Sequence, residues 1–190
     1  MKILAILFLV AGLGSCSPGR AQPSYVYVDQ VGNNNTIKVK QDGGGHVAAV
    51  AIGTYLPVND NDLKTGYNIG SNPYLGSGVS EFNYVGINQA GPGMHTTKIE
   101  LPSASYNIVS VTQDGSANHT FNLTSGAGTT NVNNTVTALQ SGSAPKDFTL
   151  NMNGSNGAQV TVQQTNPTQA NSGSMTIQCT TCGAYSYIRN

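Results

Sequence analysis

Tryptophan is absent, and charged residues make up only 8% of the 190-residue chain, with eight basic and eight acidic side chains in balance. Recognition of nucleic acid needs a basic stripe. After the leader the closest basic pair is Lys38 and Lys40, whose spacing of two puts both on the solvated face of one strand. Nucleic acid is therefore not expected as a partner. Long apolar runs are missing too: the run at 3–13 is too short to span a bilayer. Acids are few and scattered. Cleavage of a glycan needs two or more acids converging on one groove, whereas Asp29, Asp42 and Asp114 flank arcs, where a polar turn residue accounts for them. No Ser–His–Asp arrangement or phosphate loop is evident, and Asp60-Asn61-Asp62 lacks the ligand spacing of a calcium loop. The expectation is a non-enzyme without cofactor or metal. A monomeric secreted β-helix that binds or cleaves a polysaccharide is the rival from another class.

What the chain has in abundance is Gly, Asn, Ser, Thr and Gln. Such a composition permits disorder, because it offers little apolar area against chain entropy. Near-zero net charge and a strict period of two among the apolar residues argue instead for stacked strands. The first complete motif is SYVYVDQVGNNNTIKVKQ, residues 24–41. Ser24, Val26, Val28 and Gln30 share one strand face, Asn35, Ile37, Val39 and Gln41 share another, and 31–34 make the bend. The first half is expected to recur at 83–89, 107–113, 134–140 and 158–164, with starts 59, 24, 27 and 24 residues apart. A period in this range predicts a solenoid, in which each row buries its apolar face only by stacking on its neighbours.

Ser/Asn-x5-Gln-x-Gly-x2-Asn-x5-Gln, complete at 24–41 and strong through Asn107, Gln113, Gly115 and Asn118, resembles the repeat of curlin, the subunit of bacterial curli amyloid fibres. The resemblance implies an all-β solenoid of strand–arc–strand rows. It also implies an extracellular fibre subunit at the bacterial cell surface, serving adhesion and biofilm matrix. Its partners would be itself or a related curlin subunit, and an outer-membrane secretion pore. The expected assembly ladder consists of inward amides: Gln30, Asn35, Gln41, Asn83, Gln89, Asn107, Gln113, Asn118, Asn134, Gln140 and Gln164. An amide has both donor and acceptor groups, so like neighbours can bond along a stack. A buried amide left unpaired costs about 1–3 kcal/mol. Only end rows meet the next molecule, which singles out Gln30 at one end and Tyr185, Tyr187 and Arg189 at the other. Arg189 has no acceptor and is read as an end cap.

Residues 1–21 read as a signal peptide, with Lys2, an apolar core and a small-residue region. Two cuts stay open: before Gln22, giving a free secreted subunit, or before Cys16 at a lipobox-like Leu13-Gly14-Ser15-Cys16. Lipidated Cys16 would bring the membrane into play and suggest a surface-anchored minor or nucleating subunit. The repeat domain would span 22–190, with a loop-rich insertion or degenerate repeat at 42–82, where HVAAVAI begins 22 residues after Ser24. In later units the inward pairs Ile99/Leu101, Phe121/Leu123 and Phe148/Leu150 are one parity out of step with Ile37/Val39. That predicts an arc one residue longer, or a bulge. Cys179 and Cys182 in a secreted chain predict a disulfide across a turn. His95 and His119 lie 24 residues apart, one repeat length, which would stack them and hints at pH sensitivity.

Overall fold

The structure, a computed structural model, describes residues 22–53, 80–126 and 129–190. Most strands alternate inward apolar or amide residues with outward polar ones, and between the two main sheets the chain passes from one to the other with each successive long strand. The first sheet contains β1 (Tyr25–Gln30), β3 (Val47–Ile52), β5 (Thr96–Leu101), β8 (His119–Ser125), β11 (Lys146–Met152) and β13 (Asn171–Ile177), in that spatial order. The second contains β2 (Thr36–Asp42), β4 (Tyr84–Ala90), β7 (Ile108–Asp114), β10 (Thr135–Ser141), β12 (Gln159–Gln164) and β14 (Ala184–Arg189). At one corner β6 (Ala104–Ser105) pairs with β9 (Asn131–Val132). Every pairing is parallel, as stacking successive turns of a solenoid requires. The molecule is the expected all-β solenoid.

The main core lies between the sheets, and a small second cluster of Tyr27, Ala49 and Ala51 is buried on the other face of β1 and β3. Val85, Val109, Val136 and Val160 form one column in the second sheet, and Val50, Ile99, Leu123 and Leu150 one in the first. Bulk is balanced within rows. Phe121 and Phe148 stack in the first sheet, and in the next row their column holds Gly173, over which Tyr187 reaches from the second sheet. A Cβ on Gly173 would stand 2.5 Å from the Tyr187 ring, so glycine there makes the room that tyrosine fills.

The phase of the first unit differs from the expectation. Ser24–Gln30 belongs to the first sheet, where Gln30 pairs with Ile52. It is the second half, Asn35–Gln41, that stacks on Asn83–Gln89. Both halves carry the same face pattern, so periodicity alone does not distinguish them. HVAAVAI supplies a regular strand, β3, stacked between β1 and β5, with Tyr25 paired to Val47 and Val47 to Thr96. The parity shift changes with the phase: Ile37 and Val39 lie in the second sheet, and the first-sheet partners of Ile99 and Leu101 are Val50 and Ile52, whose arc is one residue shorter than the later ones. Five residues separate Gln41 from His46, but six separate Gln89 from His95, Gln113 from His119 and Gln140 from Lys146. The expectations for 54–79 and for the leader lie outside the described residues.

The motif glycine keeps the arcs in step. Gly43, Gly91, Gly115 and Gly142 all have positive φ, and a Cβ on Gly115 would sit 2.2 Å from the Gly142 carbonyl oxygen. Only glycine permits both the conformation and the close approach of successive arcs. On the other side of the row, the residue before each inward Asn is left-handed: Asn34, Phe82, Tyr106 and Asn133, with φ of 55–58°. Asn suits that corner. Phe82 and Tyr106 take it at a conformational cost and stack outside the core with ring centroids 5.0 Å apart.

Candidate assembly interface

Three polar columns run through the stack, each built by one position of the row. The first is glutamine. Gln41 Nε2 donates to Gln89 Oε1 at 2.9 Å, Gln89 to Gln113 at 2.9 Å, Gln113 to Gln140 at 2.8 Å and Gln140 to Gln164 at 2.8 Å. Each Nε2 spends its other hydrogen on a first-sheet carbonyl: Tyr25, Val47, Thr96, Thr120 and Asp147 in turn. Only nitrogen can donate to a carbonyl, so every amide faces the same way. The column therefore has a direction. Each nitrogen points to the later row, and each oxygen awaits a donor from the earlier one.

The asparagine column runs in the opposite sense. Asn83 Nδ2 donates back to Asn35 Oδ1, Asn107 to Asn83, and Asn134 to Asn107, each at 2.9 Å. Each Oδ1 also accepts the backbone N–H of the next row, from Asn83, Asn107, Asn134 and finally Ala158. The remaining Nδ2 hydrogens go to Ser80, Ala104, Asn131 and Ser155 carbonyls at the corner. Asn83, Asn107 and Asn134 are buried yet paired, as a dry interior demands, and Asn35 in the first row is half-buried.

The third column combines histidines and a lysine. His46, His95 and His119 are buried and stacked, with centroids 5.0 and 4.8 Å apart. His95 N–H donates to His46 Nδ1 and His119 N–H to His95 Nδ1, at 3.2 and 3.3 Å. Each Nε2 lies 2.8–3.2 Å from an arc carbonyl, of Asp42, Ala90 or Asp114. For His46 and His95 this geometry fits neutral imidazole with its proton on Nε2. Burial lowers the His95 pKa to about 4, aided by the neighbouring His119 and His46. Burial also lowers that of His119, and Lys146 in the next row adds to it. Lys146 is wholly enclosed, its Nζ donating to the carbonyls of Asn166 (2.7 Å) and Gln169. Burial lowers its pKa as well.

Gln41, Gln89, Gln113, Gln140 and Gln164 thus form one column, and Asn35, Asn83, Asn107 and Asn134 another. Gln30 and Asn118 belong to neither. Gln30 tops Ile52's column, and Asn118 is exposed on an arc, where its Oδ1 accepts Met94 N–H at 2.9 Å. Cys179 and Cys182 are disulfide-bonded beside the core, with Cα atoms 5.4 Å apart. Sequence reasoning misses His46 and Lys146 as members of the third column. The 49 residues from His46 to His95 hide the match behind the insertion, and a lysine gives no signal of an inward position.

At the stack's two ends, β1 and β2, and β13 and β14, have no strand beyond them among the described residues. Arg189 is exposed there, in register with Gln164, its guanidinium 5.8 Å from the Tyr187 ring centroid. Among the described residues, no helix is long and apolar enough to cross a membrane. No family model, no curated protein and no solved structure matches the chain.

Proposed function

We propose that the chain is a structural subunit of an extracellular, curli-like amyloid fibre that grows by stacking the end row of one copy on the end row of the next. The observation that carries the reading is the pair of continuous amide columns running from the first row towards the last, with strand edges at both ends. An open strand edge is a template for another strand, and an amide ladder extends at no geometric cost when another row arrives. Half-buried Val26, Val28, Ile37 and Val39 on the first rows would gain cover in the same step. Export through an outer-membrane pore, a place at the bacterial surface and a role in adhesion and biofilm rest on the curlin resemblance of the motif at 24–41.

The purified chain should form fibres that bind amyloid dyes and diffract with a strand spacing of about 4.7–4.8 Å along the fibre axis. A chain that stays monomeric for days at high concentration would overturn the reading and favour a monomeric β-helix. Screening that monomer for polysaccharide binding and cleavage would then test the rival.

A further inference from the structure

We propose that stacking is strictly head-to-tail and that Arg189 is not a cap but the key, donating across the junction to Gln41 Oε1 of the next copy. This rests on the end-to-end reading above and specifies its contact. The direction of the glutamine column leads to it. Every interior Oε1 accepts from the preceding row, while Gln41 Oε1 meets no donor among the described residues. At the far end the column position holds Arg189, which has donors only. Gln164 cannot hand its nitrogen to Arg189 and donates instead to the carbonyls of Asp147 and Asn171, at 3.2 and 3.4 Å. The guanidinium is thus left exposed at a position where a row holding Gln41 would present an acceptor.

The strand edges agree. In the interior, outward-facing residues of the earlier strand bond inward-facing residues of the later one, as in Val47 N–H to His95 O and Gln159 N–H to Gly183 O. By the alternation of a parallel ladder, the far edges of β13 and β14 present the backbone groups of outward-facing residues, such as Ser174 and Ser186. The near edges of β1 and β2 present those of inward-facing residues, such as Val28 and Val39. Last row on first row repeats the interior pattern. One edge acceptor, Ser172 O, already takes the Tyr187 hydroxyl at 3.0 Å, but a carbonyl has two lone pairs. The two like-with-like junctions do not repeat it. Either one brings identical edges together about a two-fold axis, so the paired strands would run antiparallel instead of parallel, and neither joins the Arg189 donor to the Gln41 acceptor.

Seeded growth followed by dye binding tests the contact with Arg189→Glu, Gln41→Arg and the double variant. Each single change places two acceptors or two cations at the junction and should slow elongation roughly tenfold or more. The double variant restores an opposite pair and should recover to within about threefold of the original chain. Mixing the two single variants should also restore growth, because their ends complement each other alternately. Circular dichroism on the monomers guards against misfolding. Should a variant misfold, peptide mapping of zero-length cross-links in fibres of the unaltered chain decides, with β14-to-β2 links expected. Fibres that grow equally well with Arg189→Glu, a double variant no better than the singles, or β2-to-β2 links would overturn the key while leaving end-to-end growth standing. Failure of the unaltered chain to form fibres would overturn both.

Discussion

Single positions in this fold are repeated down the stack, so the weight on one side chain depends on what its column shares. Gln113 is the clearest case. Its oxygen accepts from Gln89 Nε2 and Thr97 Oγ1, and its nitrogen donates to Thr96 O and Gln140 Oε1. Gln113→Leu would keep the volume and leave four partners short inside a dry core. We expect a loss on the order of 3 kcal/mol in urea unfolding, against a small effect for half-buried Gln30→Leu, which lies in an apolar column. Equal losses at the two positions would contradict the re-phased ladder. Gly115→Ala should be harsher. Its positive φ and the 2.2 Å approach to Gly142 O leave no space for a methyl group, so the arcs must part. A cost of about 3 kcal/mol or more is expected, read as lost cooperative unfolding at room temperature.

At the level of elements, the imidazole column joins β3, β5 and β8 and makes their packing sensitive to acid. The groups around His95 are His46 below, His119 above and Asp114 on the neighbouring arc, with Lys146 and Asp147 beyond His119. In the unfolded chain His95 takes up a proton near pH 6.5, but in the fold only near pH 4. Protons therefore favour unfolding between those values. Stability is full above about pH 6.5 and falls as pH drops towards 4, by roughly 3 kcal/mol from His95 with a further loss from His119. Urea unfolding at a series of pH values checks this, and His95→Gln should flatten the slope. An unchanged midpoint from pH 7 to pH 4.5 would show that the column carries no such linkage. Much of this architecture is legible in the sequence. Period-two faces place the valine columns, and the intervals of 24–27 residues align β4, β7, β10 and β12 as they stand in the fold. What fails is the assignment of Ser24–Gln30 to that group, because strands of the two sheets have identical face patterns and differ only in their neighbours. Of the third column only the His95–His119 step is legible, from its 24-residue spacing; the other rows hold Ser24, His46, Lys146 and Asn171, which change residue type or lie beyond the insertion. A repeat is visible in sequence when residue type recurs at a regular spacing, and outside the histidines this column keeps only inward position.

For the whole molecule, direction is the property that matters. A stack whose glutamine amides all point one way has two different ends, and a contact between unlike ends does not close on itself. Such a contact yields open filaments rather than dimers. A subunit with one sound end and one spoiled end should then behave as a terminator. Arg189→Glu keeps its first row, with Gln41 intact, so it can dock on the exposed Arg189 of a growing fibre. Once seated, it presents a carboxylate in place of the guanidinium, and the carboxylate oxygens oppose Gln41 Oε1 of the next arrival. Because each growing end needs only one terminator, inhibition should appear well below equimolar amounts, at about one variant per ten normal subunits or fewer. Seeded growth with a fixed seed concentration and rising Arg189→Glu would show the elongation rate falling at that ratio to the share contributed by the opposite end. Gln41→Arg should block the opposite end of the fibre in the same way. A variant that merely dilutes the pool, slowing growth in proportion to its share of the subunits, would mean that the ends do not discriminate and that the ladder's direction plays no part in assembly.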